Sequence, residues 1–239
     1  MAKEIITSVA NQKIKNLIKL KNDPKSPYFL VETRHLVKEA EKANLVKEIF
    51  ATYETEFNKQ NYIIGSNIAK RLSEIVNTDG VFALCQKPTV EDLDNKIVFL
   101  DNVQDPGNVG TIIRTLKAFN FDSIITNVNV FNSKVIRSTQ GAIFSVKHKK
   151  SFDSYAELKK LKDLGYKIYI TSLDKDSQHY DQVPTNFQKL VVVLGNEGKG
   201  VEPKLLELAD YKIYIPINFE SLNVAVASGI ILNEFYKKR

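Results

Sequence analysis

The chain has 239 residues, of which 43% are hydrophobic and 26% are charged, and its formal net charge is +6. These values are typical of a folded globular protein and exclude disorder over most of the length. The excess of basic residues favours a polyanionic partner such as a nucleic acid. No apolar run approaches the roughly 20 residues of a membrane span, and the start lacks the apolar core of a secretory signal. We therefore expect a cytoplasmic protein with no membrane partner.

Cysteine and histidine usage excludes several kinds of site. The single cysteine, Cys85, lies in the apolar run GVFALC, so we interpret it as a small buried residue. His35, His148 and His179 have no metal-ligand spacing with one another. The sequence also shows no paired-carboxylate or Ser/His/Asp arrangement. It therefore predicts neither a metal site nor a hydrolase site.

The first 88 residues predict a compact α/β/α unit. Apolar residues at helical spacing among lysines predict one or two basic amphipathic helices between Ile5 and Lys21. NDPKSP has the composition of a turn. Further predicted elements, in chain order, are the strand YFLVET, the helix RHLVKEAEKAN, the strands LVKEIFAT and NYIIGS, the helix SNIAKRLSEIV with Ser66 as N-cap, and the strand DGVFALC.

The polar stretch Gln86 to Asn95 contains a proline and predicts a linker, so we expect domains over residues 1–88 and 92–239. After it, long apolar strands alternate with helices. The predicted strands are KIVFLDN, DSIITNVNV, YKIYITSL, LVVVLGNE and YKIYIPI. Nearly continuous Val/Ile/Leu strands separated by helices predict an α/β fold with a mostly parallel sheet covered on both faces.

Ligands of parallel sheets bind beyond the carboxyl ends of the strands, and three of these ends are unusual here. In DNVQDPGNVG, the Pro106-Gly107 pair predicts a tight bend before a helix that begins at Asn108. Arg114 follows six residues later, near the same end of that helix. Spacing alone favours an ordinary capped helix with a solvated Arg114.

The other two loops do not have the features of a nucleoside triphosphate site. GNEGKG follows an apolar strand but has neither the P-loop order nor the dinucleotide-binding order of glycines. Glu197 would repel a phosphate there and suits a cationic ligand or an arginine. In PINFESLN, Ser221 is the predicted N-cap of an apolar carboxyl-terminal helix. Whether Ser221 and Asn223 also face a site stays open at this point.

Taken together and in this order, DNVQDPGNVGTIIRT, VVVLGNEGKGV and YIPINFESLNVAVASGI resemble the three motifs of the SpoU (TrmH) class of SPOUT RNA ribose 2'-O-methyltransferases. The resemblance covers about Ile97 to the carboxyl terminus. The amino-terminal part, NQKIKNLIKL through YFLVETRHLVKEA, is similar to the L30e-like RNA substrate-binding domain that many members carry. That domain often has the pair EG where this chain has Glu32-Thr33.

The resemblance implies a carboxyl-terminal trefoil knot that binds S-adenosylmethionine, and a homodimer. Matched motif by motif, it implies catalytic roles for the residues Arg114, Asn108, Glu197, Ser221 and Asn223. It implies cofactor contacts for Gly195, Ile215, Leu222, Thr171 and Asn196. One departure is the run Ile217 to Glu220, which is shorter than the family's usual glycine-containing loop.

Methyl transfer requires an aligned ribose hydroxyl whose proton is removed or shared. We expect Arg114 to hold an RNA phosphate beside the target ribose and to help activate the 2'-hydroxyl, as a base or as a phosphate clamp. Asn108 and Glu197 would position Arg114 or the backbone around it, while Ser221 and Asn223 would order the knot and the hydroxyl.

The expected partner is RNA rather than DNA, and the additional amino-terminal domain favours ribosomal over transfer RNA. Two alternatives stay open, a catalytically silent RNA-binding assembly factor on the same fold and a nucleotide-dependent α/β enzyme. The presence of all five motif residues argues against the first. The missing phosphate motifs argue against the second.

Overall fold

The computed structural model describes residues 4–21, 23–90 and 92–237. Its strands are β1 Glu4–Ile6, β2 Tyr28–Glu32, β3 Val46–Ala51, β4 Gln60–Ile64, β5 Val81–Gln86, β6 Lys96–Leu100, β7 Ser123–Thr126, β8 Lys147–Lys150, β9 Lys167–Thr171, β10 Gln178–His179, β11 Leu190–Leu194 and β12 Tyr211–Tyr214. Its helices are α1 Gln12–Leu20, α2 Arg34–Lys42, α3 Ser66–Leu72, α4 Pro106–Ala118, α5 Ser133–Thr139, α6 Ser154–Asp163, α7 Pro203–Leu206 and α8 Val224–Lys237.

Contacts divide the chain into two compact units. Unit 1 contains residues 1–89 and 131–144, and unit 2 contains residues 90–130 and 145–239. Within unit 1, the Phe131 and Phe144 rings lie 4.5 and 6.0 Å from the ring of Phe29. Arg137 of α5 lies 3.6 Å from the Glu74 carboxylate. These contacts place the segment 131–144 with the amino-terminal residues, a grouping that the predicted domains 1–88 and 92–239 do not contain.

Unit 1 is built on a five-stranded mixed sheet in the order β1-β4-β3-β5-β2. β1 and β3 pair with β4 in parallel, while β5 pairs with β3 and β2 in antiparallel fashion. α1 and α3 bury Ile14, Leu17 and Ile68 against Phe50 and Phe82 of the sheet. Burial of these apolar side chains is the main term that stabilises this unit.

Two predicted elements of unit 1 are wrong in part. The segment predicted as helical from Ile5 begins as strand β1, because Ile5 and Ile6 pair with β4, and the helix starts only after Asn11. The Asn11 side chain accepts a hydrogen bond from the Lys13 amide at 2.8 Å and so caps α1. Ser66 is the first residue of α3 rather than its cap, since Gly65 holds the N-cap position without a side-chain bond.

Thr33 has a backbone conformation that favours glycine, with φ of 89° and ψ of 140°. A β-branched residue there costs about 1–3 kcal/mol. Replacement by glycine removes that cost. It also loses the N-cap hydrogen bond from the Leu36 amide and increases the conformational entropy of the unfolded chain, and these two effects together destabilise the protein by about 1 kcal/mol. We expect Thr33→Gly to raise the free energy of unfolding by about 1 kcal/mol in urea denaturation. Thr7→Gly is the control, because Thr7 has no positive φ, and it should lower the free energy of unfolding. Equal destabilisation by both variants would contradict the proposal that the backbone at Thr33 is strained.

Unit 2 contains a seven-stranded sheet in the order β10-β12-β9-β11-β6-β7-β8, and every pair in it is parallel. The predicted α/β class with a mostly parallel sheet is therefore confirmed. β8 and β10 were absent from the predicted elements, because both are short edge strands of mainly polar sequence. The predicted trefoil knot stays a prediction.

Helices cover both faces of this sheet. Ile168 and Ile170 of β9 pack on one face with Leu158 of α6 and Leu205 of α7. Tyr169, between them in the chain, packs on the opposite face against Phe235 of α8, with ring centroids 4.8 Å apart. α8 in turn packs against α4. Within the described residues, no helix has the length and apolar character needed to cross a membrane.

Candidate active site

Three loops of unit 2 follow the carboxyl ends of the parallel strands. We name them loop 1 (residues 101–105, after β6), loop 2 (195–202, after β11) and loop 3 (215–223, after β12). β6 and β11 are direct neighbours in the sheet, and β9 separates β11 from β12. Because parallel strands end at the same edge of a sheet, the three loops lie together.

Loop 1 leads into α4 two residues earlier than predicted. The helix begins at Pro106 rather than at Asn108, and Asp105 is its N-cap. The Asp105 carboxylate accepts a hydrogen bond from the Asn108 amide at 2.8 Å, while proline suits the first helical position. Asn108 is therefore the third residue of the helix, and its side chain is not needed for capping.

The Asn108 side chain instead connects the three loops. Its Nδ2 donates a hydrogen bond to Glu197 Oε1 of loop 2 at 2.7 Å. Its Oδ1 accepts a hydrogen bond from Asn223 Nδ2 of loop 3 at 3.0 Å. An amide side chain can do both, because its nitrogen donates while its oxygen accepts. The structure thus brings three of the predicted catalytic residues into one hydrogen-bonded row.

Loop 3 shows that the predicted cap of the last helix is wrong. Asn223 Oδ1, not Ser221, accepts hydrogen bonds from the Ala225 and Val226 amides, at 2.9 and 3.3 Å. α8 begins at Val224, so Ser221 lies too far upstream to cap it. Ser221 is exposed and lines the cavity described below. Asn223 therefore caps α8 and contacts Asn108 with the same side chain.

Loop 2 is a tight turn closed by its own backbone. The amides of Asn196 and Gly200 each donate to the other residue's carbonyl, at 3.0 and 2.9 Å. Asn196 Oδ1 accepts from the Gly198 and Lys199 amides, and its Nδ2 donates to the Asn102 carbonyl of loop 1 at 3.1 Å. A Cβ at Gly195 would lie 2.2 Å from the Gly200 carbonyl carbon, so only glycine fits this turn.

Asp101 is a positioning residue whose role the sequence analysis missed. Its side chain is buried, with 1% of the residue exposed. One carboxylate oxygen accepts from Ser154 Oγ at 3.0 Å, and the other accepts from the Glu202 amide at 2.8 Å. The signal was present, since Asp101 directly follows the apolar strand KIVFL. Asp101 ties the starts of α6 and α7 to loop 1.

A cavity of about 720 Å³ opens between loops 2 and 3. All five residues that the resemblance assigned to the cofactor line it, namely Thr171, Gly195, Asn196, Ile215 and Leu222. Glu197 and Ser221 line it too, as do Asp174 and Glu220, which the sequence analysis did not single out. Apolar walls with several carboxylates are typical of a site for a ligand that is partly apolar and positively charged.

Among the lining carboxylates, Asp174 has a cationic partner. Lys212 Nζ lies 3.1 Å from Asp174 and 2.9 Å from Asp176. The hydrogen bonds to Asp176 and Asp174 raise the pKa of Lys212, so it stays charged at neutral pH. Glu197 is hydrogen-bonded to a neutral amide instead. Glu197 therefore keeps its negative charge available to the cavity.

Arg114 lies on the exposed side of α4, about 9 Å along the helix axis from Asn108. It forms no hydrogen bond or ion pair with any residue that the structure describes. Glu197 was predicted to position Arg114 or the backbone around it, and it is hydrogen-bonded to Asn108 of the same helix rather than to Arg114. The guanidinium is therefore available to an anion from outside the chain.

Cys85 lies in unit 1 and is fully buried, as predicted. Burial raises the pKa of its thiol, so the reactive thiolate is not populated at neutral pH. No cluster of three or more His, Cys, Asp or Glu side chains suited to a metal occurs among the described residues.

Comparisons with known proteins place this chain beside RNA methylases. The family model described as the SpoU rRNA Methylase family matches residues 95–233. A 23S rRNA (guanosine(2553)-2'-O)-methyltransferase of Bacillus subtilis, RlmP, is 36% identical over 95% of this chain and 97% of its own. A tRNA (guanosine(18)-2'-O)-methyltransferase of Aquifex aeolicus is 36% identical over 60% of this chain and 69% of its own.

The fold also matches a solved structure over almost its whole length. An AdoMet-bound rRNA methyltransferase of Sinorhizobium meliloti has a TM-score of 0.85 with this chain, covering 98% of this chain and 97% of the other. The two sequences are 23% identical, so this match concerns the fold.

Proposed function

The chain belongs to the SpoU rRNA methylase family, and we propose that it is an S-adenosylmethionine-dependent enzyme that methylates a ribose 2'-hydroxyl of ribosomal RNA. One observation of the structure carries this proposal. The hydrogen-bonded row Glu197–Asn108–Asn223 joins the three motif loops beside the cavity, with Arg114 exposed on the same helix as Asn108.

The cavity fits S-adenosylmethionine in size and in chemistry. Pockets for ligands of this size measure roughly 300–1,000 Å³, and this one is about 720 Å³. Apolar residues such as Ile215 and Leu222 suit the adenine, and the carboxylates of Glu197 and Glu220 suit the positive charges of a sulfonium and an ammonium group. When bound, S-adenosylmethionine supplies an electrophilic methyl group. Gly195, Asn196 and Thr171 would hold it largely through the backbone of loop 2 and the end of β9.

Each catalytic residue then has a role that follows from its position. Arg114 binds a phosphate of the RNA beside the target ribose, because its guanidinium is exposed and carries no protein partner among the described residues. Asn108 holds the start of α4 against loops 2 and 3, which sets the position of Arg114 relative to the cavity. Glu197 adds negative charge beside the cavity. Ser221, exposed at its rim, orders the reacting hydroxyl.

Ribosomal RNA is favoured over transfer RNA by the extent of similarity. The similarity to the 23S rRNA enzyme spans 95% of this chain, including unit 1, whereas the similarity to the tRNA enzyme spans 60%. A unit that accompanies an rRNA-specific catalytic unit is expected to bind the same substrate. We therefore propose that residues 1–88 form an L30e-like domain that binds ribosomal RNA, and that the target is a guanosine ribose.

The remaining expectations belong to the same proposal. The enzyme acts as a homodimer, and its carboxyl-terminal segment forms the trefoil knot implied by the three motifs. The enzyme is expected in the cytoplasm, where it would meet its ribosomal RNA substrate. Sedimentation velocity of the purified protein tests the dimer directly.

The proposed reaction is tested with methyl-labelled S-adenosylmethionine and total RNA from cells that lack the gene. Label is expected in 23S rRNA, in a nucleotide whose adjacent phosphodiester bond resists alkaline cleavage because its ribose 2'-hydroxyl is methylated. Calorimetry with S-adenosylmethionine alone checks cofactor binding in the same preparation. Label confined to tRNA would support the tRNA alternative. Cofactor binding without label in any RNA would support a silent assembly factor and overturn the proposed reaction.

A further inference from the structure

The edge strand β8 carries an unusually basic sequence, Lys147-His148-Lys149-Lys150. Two of its lysines have acidic partners, since Lys147 lies 2.9 Å from Asp94 and Lys149 lies 2.5 Å from Glu157. Lys150, the last residue of the strand, has no acidic partner among the described residues. Its charge is therefore open to an external anion.

Phe152 follows two residues later and is 89% exposed. An exposed phenylalanine buries almost none of its apolar surface, so it contributes nothing to the core of unit 2. Lys150 Nζ lies 5.1 Å from the centre of the Phe152 ring, within the range of a cation–π contact. We name residues 147–152 the β8 patch.

The β8 patch lies at the same edge of the sheet as the candidate active site. In the parallel register, Lys150 of β8 is opposite Thr126 of β7, so Ser151 and Phe152 lie beyond the carboxyl ends of the strands. Ser154, two residues after Phe152, donates its hydroxyl proton to Asp101 of loop 1 at 3.0 Å. Asn127, after β7, donates to Asn102 of loop 1 at 3.2 Å. Residues close to the patch in the chain and in the sheet are thus hydrogen-bonded to loop 1.

We propose that the β8 patch binds a single-stranded segment of the RNA next to the target nucleotide, with a base stacked on Phe152 and a phosphate bound by Lys150. This inference rests on the proposed RNA substrate and adds a binding site for the flanking nucleotides. Exposed aromatic rings beside cationic side chains are the usual platform for single-stranded nucleic acid, because every base has a face that can stack. Bases held here would be aligned along the sheet edge that carries the methyl-transfer site.

A second copy of the chain fits this patch less well than RNA does. A protein surface that covered Phe152 would also bury Lys150, which lacks an acidic partner, and burial of an unpaired charge is costly. RNA offers a base for the ring and a phosphate for the ammonium group within one nucleotide. One RNA segment can therefore contact both the Lys150 ammonium group and the Phe152 ring.

Binding is measured by fluorescence anisotropy with a fluorescein-labelled single-stranded oligoadenylate RNA, without S-adenosylmethionine. We expect Phe152→Ala to weaken binding by about 5- to 100-fold. Phe152→Tyr, which keeps an aromatic ring, should bind like the original protein, and Phe152→Leu should bind like the alanine variant. Leu164→Ala, at another exposed apolar residue beyond the far end of α6, is the matched control and should change nothing.

The salt dependence of RNA binding distinguishes the contribution of Lys150 from that of Phe152. Lys150→Ala removes one phosphate contact, so the slope of log affinity against log salt should fall by about 0.7 for a single strand. Phe152→Ala should leave that slope unchanged, because stacking releases no counterions. Unchanged affinity of Phe152→Ala, or equal affinity of Phe152→Leu and the original protein, would overturn the stacking site.

These outcomes are distinguishable from failure of the proposed reaction, because the binding assay contains no cofactor and measures no methylation. If label enters RNA normally but Phe152→Ala binds RNA unchanged, the β8 patch proposal fails alone. If no RNA is labelled but the patch variants lose RNA binding, RNA binding by the β8 patch is supported and the proposed methylation fails. A change of sedimentation coefficient in Phe152→Ala would assign the patch to a protein interface and overturn the proposal.

Discussion

Arg114→Ala is expected to lower methyl transfer by on the order of 10²- to 10⁴-fold while leaving S-adenosylmethionine binding unchanged. The guanidinium is exposed on α4, and it is not among the residues that line the cavity. Its loss therefore removes the proposed phosphate contact without altering the cofactor site. The two quantities are measured by single-turnover methylation of 23S rRNA and by calorimetry with the cofactor alone.

Lys117→Ala is the matched control, because Lys117 lies on the same helix and is paired with Asp122 at 2.7 Å. It should retain full activity. Substantial turnover by Arg114→Ala would remove Arg114 from the mechanism. Arg114→Lys separates the two roles left open for the residue: a general base of lower pKa would give a rate that rises towards pH 10, whereas a phosphate clamp would give a lower rate with no new pH dependence.

Asn108→Asp is expected to lower the single-turnover rate by about 10- to 100-fold. The change keeps the oxygen that accepts from Asn223 but replaces the donor to Glu197 by a second carboxylate. Two carboxylates at the 2.7 Å contact repel each other, so α4 and loop 2 should separate and Arg114 should lose its alignment. Cofactor affinity, measured by calorimetry, should fall much less than the rate.

A double-mutant cycle tests whether the loss of rate in Asn108→Asp results from disruption of the hydrogen-bonded row. Glu197→Gln alone should have a small effect on alignment, since its amide oxygen still accepts from Asn108. Combined with Asn108→Asp, it supplies an amide donor to the new carboxylate at position 108, so the double variant should be more active than Asn108→Asp alone. If the two losses are simply additive, Asn108 and Glu197 act independently and the row does not position the site.

Much of the second unit was predictable because its strands are buried on both faces. A strand such as LVVVL has to be apolar throughout when helices cover the sheet on both sides, and that composition is visible in the sequence. The three motif loops were predictable for a related reason, since each follows such a strand and is rich in Gly, Asn or Pro. The short strands β8 and β10 were missed because edge strands need no apolar run.

By itself, the sequence determined the α/β class of unit 2, the loops that form the site and the residue types available in them. The tertiary structure decided which side chains meet. Asn108 lies 89 residues from Glu197 and 115 from Asn223, and only the parallel order of β6, β11 and β12 brings their loops to one edge. Local patterns assigned the cap of α8 to Ser221, but Asn223 has that role because the helix begins at Val224. Hydrogen bonds between distant segments depend on where strand ends meet in space, and no local pattern of residues contains that information.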